Sequence, residues 1–120
     1  MTKEKRNLEC ANEIRQWLLD HGMWIDTHIY FNGKVYGTSD KENHYYYNDP
    51  DHLIEYEDDP SRYVEYYSKD GITMTFEGEL YDLLNYNFTS GLLKEFDAIF
   101  LKYGLWYEQG YAWSLSTFEI

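Results

Sequence analysis

Apolar residues recur at helical spacing over residues 7–21, where Leu8, Ala11, Ile14 and Leu18 form one stripe and Trp17 widens it. That period predicts an amphipathic helix, and Gly22 is placed to end it. The pattern then changes. Trp24 to Phe31 is rich in β-branched and aromatic residues, Asn32-Gly33 follows, and Lys34-Val35-Tyr36 resumes the run. Asn-Gly tolerates positive φ at both turn positions, so this stretch predicts a β-hairpin.

Residues 37–59 are polar and irregular, apart from Tyr45, Tyr46 and Tyr47, which read as a short strand. Asp59-Pro60 has the order of an N-cap followed by a first-turn proline, and predicts a short helix from Pro60 to about Tyr67. A competing reading pairs Tyr63–Tyr67 with the next strand as a hairpin. That strand is Ile72-Thr73-Met74-Thr75-Phe76, whose strict alternation predicts one buried face. Leu80, Leu83 and Leu84 suggest a short helix before Asn85. Ser90 stands as the N-cap of a longer one over about residues 91–103, with Leu92, Leu93, Phe96, Ile99, Phe100 and Tyr103 on its apolar side. Gly104 ends it, and residues 105–118 are strand-like around a turn or bulge at Gln109-Gly110.

The two long helices invite alignment. Glu13 to Trp24 laid above Glu95 to Trp106 at a constant offset of 82 brings Glu, Leu, Gly and Trp into coincidence. Each copy is a helix, a glycine and a strand, so a duplicated unit is expected over about residues 7–36 and 91–118, flanking an acidic, tyrosine-rich middle at 40–90. The whole chain, residues 1–120, then reads as a single α+β domain in which an antiparallel sheet carries two main helices.

Charge sharpens this picture. The formal net charge is −12 and the aromatic share 20%, with 14 Tyr. Phosphates would be repelled, so direct binding to nucleic acid or to an anionic membrane is not expected. No apolar run approaches membrane-spanning length, and no secretory leader is visible, which predicts a cytoplasmic location. Cys10 is the single cysteine and falls near the apolar helix stripe, so it reads as a core residue.

Chemistry-bearing motifs are sparse. Asp49, Asp51, Glu55, Glu57, Asp58 and Asp59 crowd one stretch without a Lys or Arg, yet they lack calcium-loop spacing. His21, His28, His44 and His52 match no zinc pattern. Glu77 and Glu79 flank Gly78 without further signal, and neither Ser114 nor Ser116 sits in a nucleophile elbow. No catalytic residue, metal or cofactor is therefore expected.

What remains is acid interleaved with tyrosine. In composition alone the chain resembles small, acidic, aromatic-rich proteins of phages and mobile elements, many of which block a host defence protein. The expected function is that of a non-enzymatic binding module, in the manner of an inhibitor, that occupies a basic nucleic-acid-binding groove of a partner protein. Tyr45, Tyr46, Tyr47, Asp49, Asp51, Glu55, Tyr56, Glu57, Asp58, Asp59, Tyr63 and Tyr66 are the expected contact residues. The alternative is a small-molecule site or enzyme with an aromatic pocket between helices and sheet, lined by Trp24, Trp106, Trp113 and Tyr111. A homo-oligomer is compatible with either.

Overall fold

In the computed structural model, which describes residues 1–87 and 91–120, the first helix starts ahead of its apolar period. The Thr2 hydroxyl accepts from the Lys5 N–H at 3.1 Å, and α1 runs Lys3–Asp20. The added turn is charged, and its anchors are polar: Arg6 pairs with Glu119 at 3.0 Å and donates to the Asp70 carbonyl. At the other end Gly22 takes φ 67°, and the Met23 N–H reaches back to the Leu18 carbonyl at 2.8 Å, which closes the helix.

Six strands follow, β1 (Thr27–Phe31), β2 (Lys34–Gly37), β3 (Ile54–Glu57), β4 (Thr73–Phe76), β5 (Leu105–Glu108) and β6 (Ser114–Glu119). They form one antiparallel sheet in the order β3-β2-β1-β4-β6-β5. Helices α2 (Glu79–Tyr86) and α3 (Gly91–Lys102) separate β4 from β5. The fold is the expected small α+β domain. The Asn32-Gly33 turn sets Phe31 opposite Lys34, and both turn residues have positive φ.

Helices cover one face of the sheet. Ile29, Phe31, Tyr36, Met74, Phe76, Leu105 and Leu115 point into it and meet Ile14, Leu18, Leu80, Phe96 and Phe100. Alternation sends His28, Tyr30, Tyr56, Thr73, Thr75, Ser114 and Ser116 to the opposite face. No helix of the described residues is long and apolar enough to cross a membrane.

Local expectations are corrected at four places. The strand before the hairpin starts at Thr27 and not Trp24, because Asp26 has φ 47° and breaks the extended run. The Tyr45–Tyr47 stretch is no strand: it holds one isolated bridge, Ser39 to Tyr45, at the edge of a turn that Asp40 organises. The helix expected over Pro60–Tyr67 is one 3-10 turn, Pro60–Arg62. Asp59 does cap it, accepting from the Ser61 N–H at 2.9 Å, but only Val64 beyond it is buried, so no apolar stripe drives propagation. The competing hairpin is absent too, since β1 and β6 occupy both sides of β4. Ser90 lies outside the described residues.

Candidate functional site

The face without helices is only half covered. Residues 58–72 cross it as a strap that ties to the sheet through its own polar groups. Ser116 Oγ donates to the Tyr66 carbonyl at 3.0 Å, and the Ser68 N–H donates to Thr73 Oγ1 at 2.7 Å. Tyr66 packs against Tyr111, while Val64 is pressed down to 4% exposure. Between this strap, the turn at residues 38–45 and Trp113 lies a groove of about 1030 Å³.

His28, Tyr30, Tyr56 and Thr75 line it from the sheet, with Tyr45 and Tyr63 from the surrounding segments. Tyr30 and Tyr63 lie 5.9 Å apart, centroid to centroid, and His28 stacks on Tyr30 at 6.1 Å. The His28 ring has room because residue 37 is glycine: a Cβ there would stand 2.9 Å from His28 Cδ2. Asp26, Asp40, Glu57, Asp58 and Glu77 also line the groove, against the two cations Lys41 and Arg62.

Both cations already lie over tyrosine rings. Lys41 Nζ sits 5.4 Å from the Tyr56 centroid, and the Arg62 guanidinium 5.7 Å from that of Tyr63. Arg62 also pairs with Asp58 at 3.1 Å. The Asp58 side chain is 7% exposed. Burial alone would raise its carboxyl, but hydrogen bonds from the Tyr63 hydroxyl at 2.8 Å and the Asp59 N–H at 2.9 Å, together with Arg62, hold it below the usual carboxylate range. The same bond raises the Tyr63 phenol, and burial raises that of Tyr30. Tyr47 donates to Asp26, and that bond pushes its phenol up to about 12. At neutral pH the groove therefore presents ionised Asp58 beside neutral phenols, a combination that attracts a cation and stacks on its flat or apolar parts.

Burial lowers the pKa of His28, against the opposing pull of Asp58 and Asp26. Its folded pKa thus lies below its unfolded one, near 6.5. The unfolded chain binds more protons as pH falls through that value, so this contribution to stability is full above about pH 6.5 and is lost below it. Urea midpoints at about pH 7.5 and about pH 5.5 should fall with acid in the wild type and fall less in His28→Gln. Equal acid slopes in the two proteins would remove His28 as the cause.

Of the residues expected to meet a partner, Tyr45, Tyr56, Glu57, Asp58 and Tyr63 line this groove. The others lie elsewhere. Tyr46 stacks on His52 at 4.5 Å, and Asp49 pairs with His52 and accepts from the Asp51 N–H. Tyr47 is held to Asp26 at the groove margin. Glu55 reaches back to Lys34 at 2.6 Å, Asp59 caps the 3-10 turn, and Tyr66 lies on Tyr111. Asp26, His28, Tyr30, Asp40, Lys41, Arg62, Thr75, Glu77 and Trp113 join the groove without having been among the expected contact residues. The alternation of β1, which sets His28 and Tyr30 opposite Ile29 and Phe31, was the available signal for two of them.

The aromatic residues assigned to a pocket between helices and sheet do not gather into one. Trp24 is core at 1% exposure, whereas Trp106 is 42% exposed against Phe118 on the opposite face. Tyr111 and Trp113 stack at 4.9 Å beyond the strap. Cys10 is fully buried, which pushes its thiol up to about 12 and leaves it inert at neutral pH. Among the described residues, no three His, Cys, Asp or Glu side chains come together as a metal-binding group. Compared with known proteins, the chain matches no family model, no curated protein and no solved structure.

Proposed function

We propose that the protein is a non-enzymatic binding module that docks a basic partner protein in the acidic, tyrosine-lined groove of its open sheet face. The observation that carries this reading is the seating of Lys41 and Arg62 on Tyr56 and Tyr63 beside Asp58. The groove already binds two cations of its own chain. Each such exposed contact is worth on the order of 0.5–1 kcal/mol, so an incoming arginine or lysine displaces it at small cost.

Basic segments of this kind are typical of proteins that hold phosphate backbones. A module that covers such a segment competes with nucleic acid and acts as an inhibitor of its partner. Tyr45, Tyr56 and Tyr63 supply broad, stiff contact area for anchoring.

The test is binding of a fluorescent arginine-rich peptide to the intact chain, measured at low and high salt and against competing nucleic acid. Affinity should fall steeply with salt, because charge pairs at a protein surface are screened over about 8 Å at physiological ionic strength. Nucleic acid should release the peptide by taking it from the groove. A peptide that fails to bind at low salt would remove the proposal.

A further inference from the structure

Beside the groove, the sheet ends in an unpaired edge whose backbone groups can be assigned from the ladder register. The Asn32-Gly33 turn makes Phe31 and Lys34 a hydrogen-bonded pair, and the Thr38 N–H donates to the Thr27 carbonyl at 3.2 Å two steps further along. Lys34 and Tyr36 therefore direct their backbone groups to β1, while Val35 and Gly37 direct theirs to β3. The Asp58 N–H to Gly33 carbonyl bond, 3.3 Å, keeps the same phase. It follows that Ile54 and Tyr56 face β2, whereas Glu55 and Glu57 turn their N–H and C=O groups outward from β3.

Two acidic side chains thus stand on the two residues whose backbone is free to pair. Glu55 is held by Lys34, but Glu57 is exposed beside the groove. The opposite edge differs in kind. On β5 the outward residues are Leu105 and Tyr107, neither of which carries a carboxylate to pair with a basic strand, and the Trp106–Phe118 pair lies beside them.

We infer that the occupant is an extended basic segment of the partner, which adds to the sheet as a seventh strand beside β3. Its backbone pairs with Glu55 and Glu57; one set of its alternate side chains reaches into the groove beside Tyr56, and the other set meets Glu55 and Glu57 on the opposite face of the strand. Charge complementarity selects this occupant. An unliganded acidic strand repels a second copy of itself and is protected from edge-to-edge association, while a strand bearing lysine or arginine gains opposite-charge cross-strand pairs. This rests on the groove being a site for a basic partner and specifies how that partner is held.

Glu57 permits a clean test, because its N–H takes no part in the β2–β3 ladder. Glu57→Gln removes the charge and keeps the outward donor; Glu57→Pro removes both, at an edge position where proline is tolerated. The probe is a short peptide alternating lysine and threonine. Affinity for Glu57→Pro should be about tenfold below that for Glu57→Gln, the value of one backbone hydrogen bond. Exchange of the Glu55 and Glu57 amide protons in the wild type should slow on peptide addition. In case Glu57→Pro unfolds, the wild type is also titrated with peptides N-methylated at one or the other set of alternate residues, and one set should bind at least about tenfold more weakly than the other. Salt-dependent binding that is indifferent to proline, to N-methylation and to amide exchange overturns strand addition and leaves the basic-partner reading standing. Absence of peptide binding at low salt overturns both.

Discussion

Replacing Phe96 by alanine is expected to cost about 3–5 kcal/mol of unfolding free energy, the usual range for truncating a fully buried phenylalanine. Phe96 has no exposed surface and stands where three elements meet. Its ring lies 5.6 Å from Trp17 on α1, 5.1 Å from Phe100 on its own helix and 5.8 Å from Tyr107 on β5. All three neighbours are large and fixed. Trp17 is braced by His21 at 4.3 Å, and the Tyr107 hydroxyl is bonded to Asp97, so the cavity left by alanine cannot close by a simple rotation. A domain of this size has about 5–15 kcal/mol of total stability, so one substitution removes a large share of it. The urea midpoint should drop while the slope stays constant. An unchanged midpoint would detach α3 from the core.

The same helix shows how far a sequence reading reaches. Local periodicity is a property of one segment, so α1, α3, the Asn32-Gly33 hairpin and β4 were legible from spacing and turn residues. The groove depends on sheet order, which no segment encodes. His28, Tyr56, Thr75 and Trp113 converge because β1 lies between β2 and β4 and because the β3–β4 connection crosses the face away from the helices. The acidic stretch at 49–59 looked continuous in sequence but is divided in space. Asn48 exchanges hydrogen bonds with Trp24, its N–H donating to the Trp24 carbonyl and its Oδ1 accepting from the Trp24 N–H, both at 2.9 Å. Arg15 on α1 grips the Asp49 and His52 carbonyls at 3.4 and 3.3 Å. That pinning holds residues 48–52 against α1, and only the stretch after Leu53 enters the sheet and reaches the groove.

Position, and not total charge, should therefore decide binding, and two variants of equal net charge separate the two. The first carries Asp26→Asn, Asp58→Asn and Glu77→Gln, all lining the groove. Each replacement keeps an oxygen acceptor, so the bonds from Tyr47 and Tyr63 survive and the groove keeps its shape. The second carries Asp51→Asn, Asp59→Asn and Glu65→Gln, none of which lines it. Asn remains a good N-cap at position 59, so the turn at Pro60 is preserved. At about 1 kcal/mol for each carboxylate facing a bound cation, the groove variant should lose about 3 kcal/mol, on the order of a hundredfold in affinity for an arginine-rich peptide. The other should lose only the screened, long-range attraction, a few-fold effect at low salt that vanishes at high salt. The second should unfold at a midpoint close to that of the wild type, because removing like charges from a chain of net charge −12 relieves repulsion. The first should unfold somewhat earlier, because the Asp58 charge is held by Tyr63, the Asp59 N–H and Arg62, so binding is compared where both variants are folded. If the two variants weaken binding equally, the negative charge acts as a diffuse field, and the groove is not where the basic partner docks.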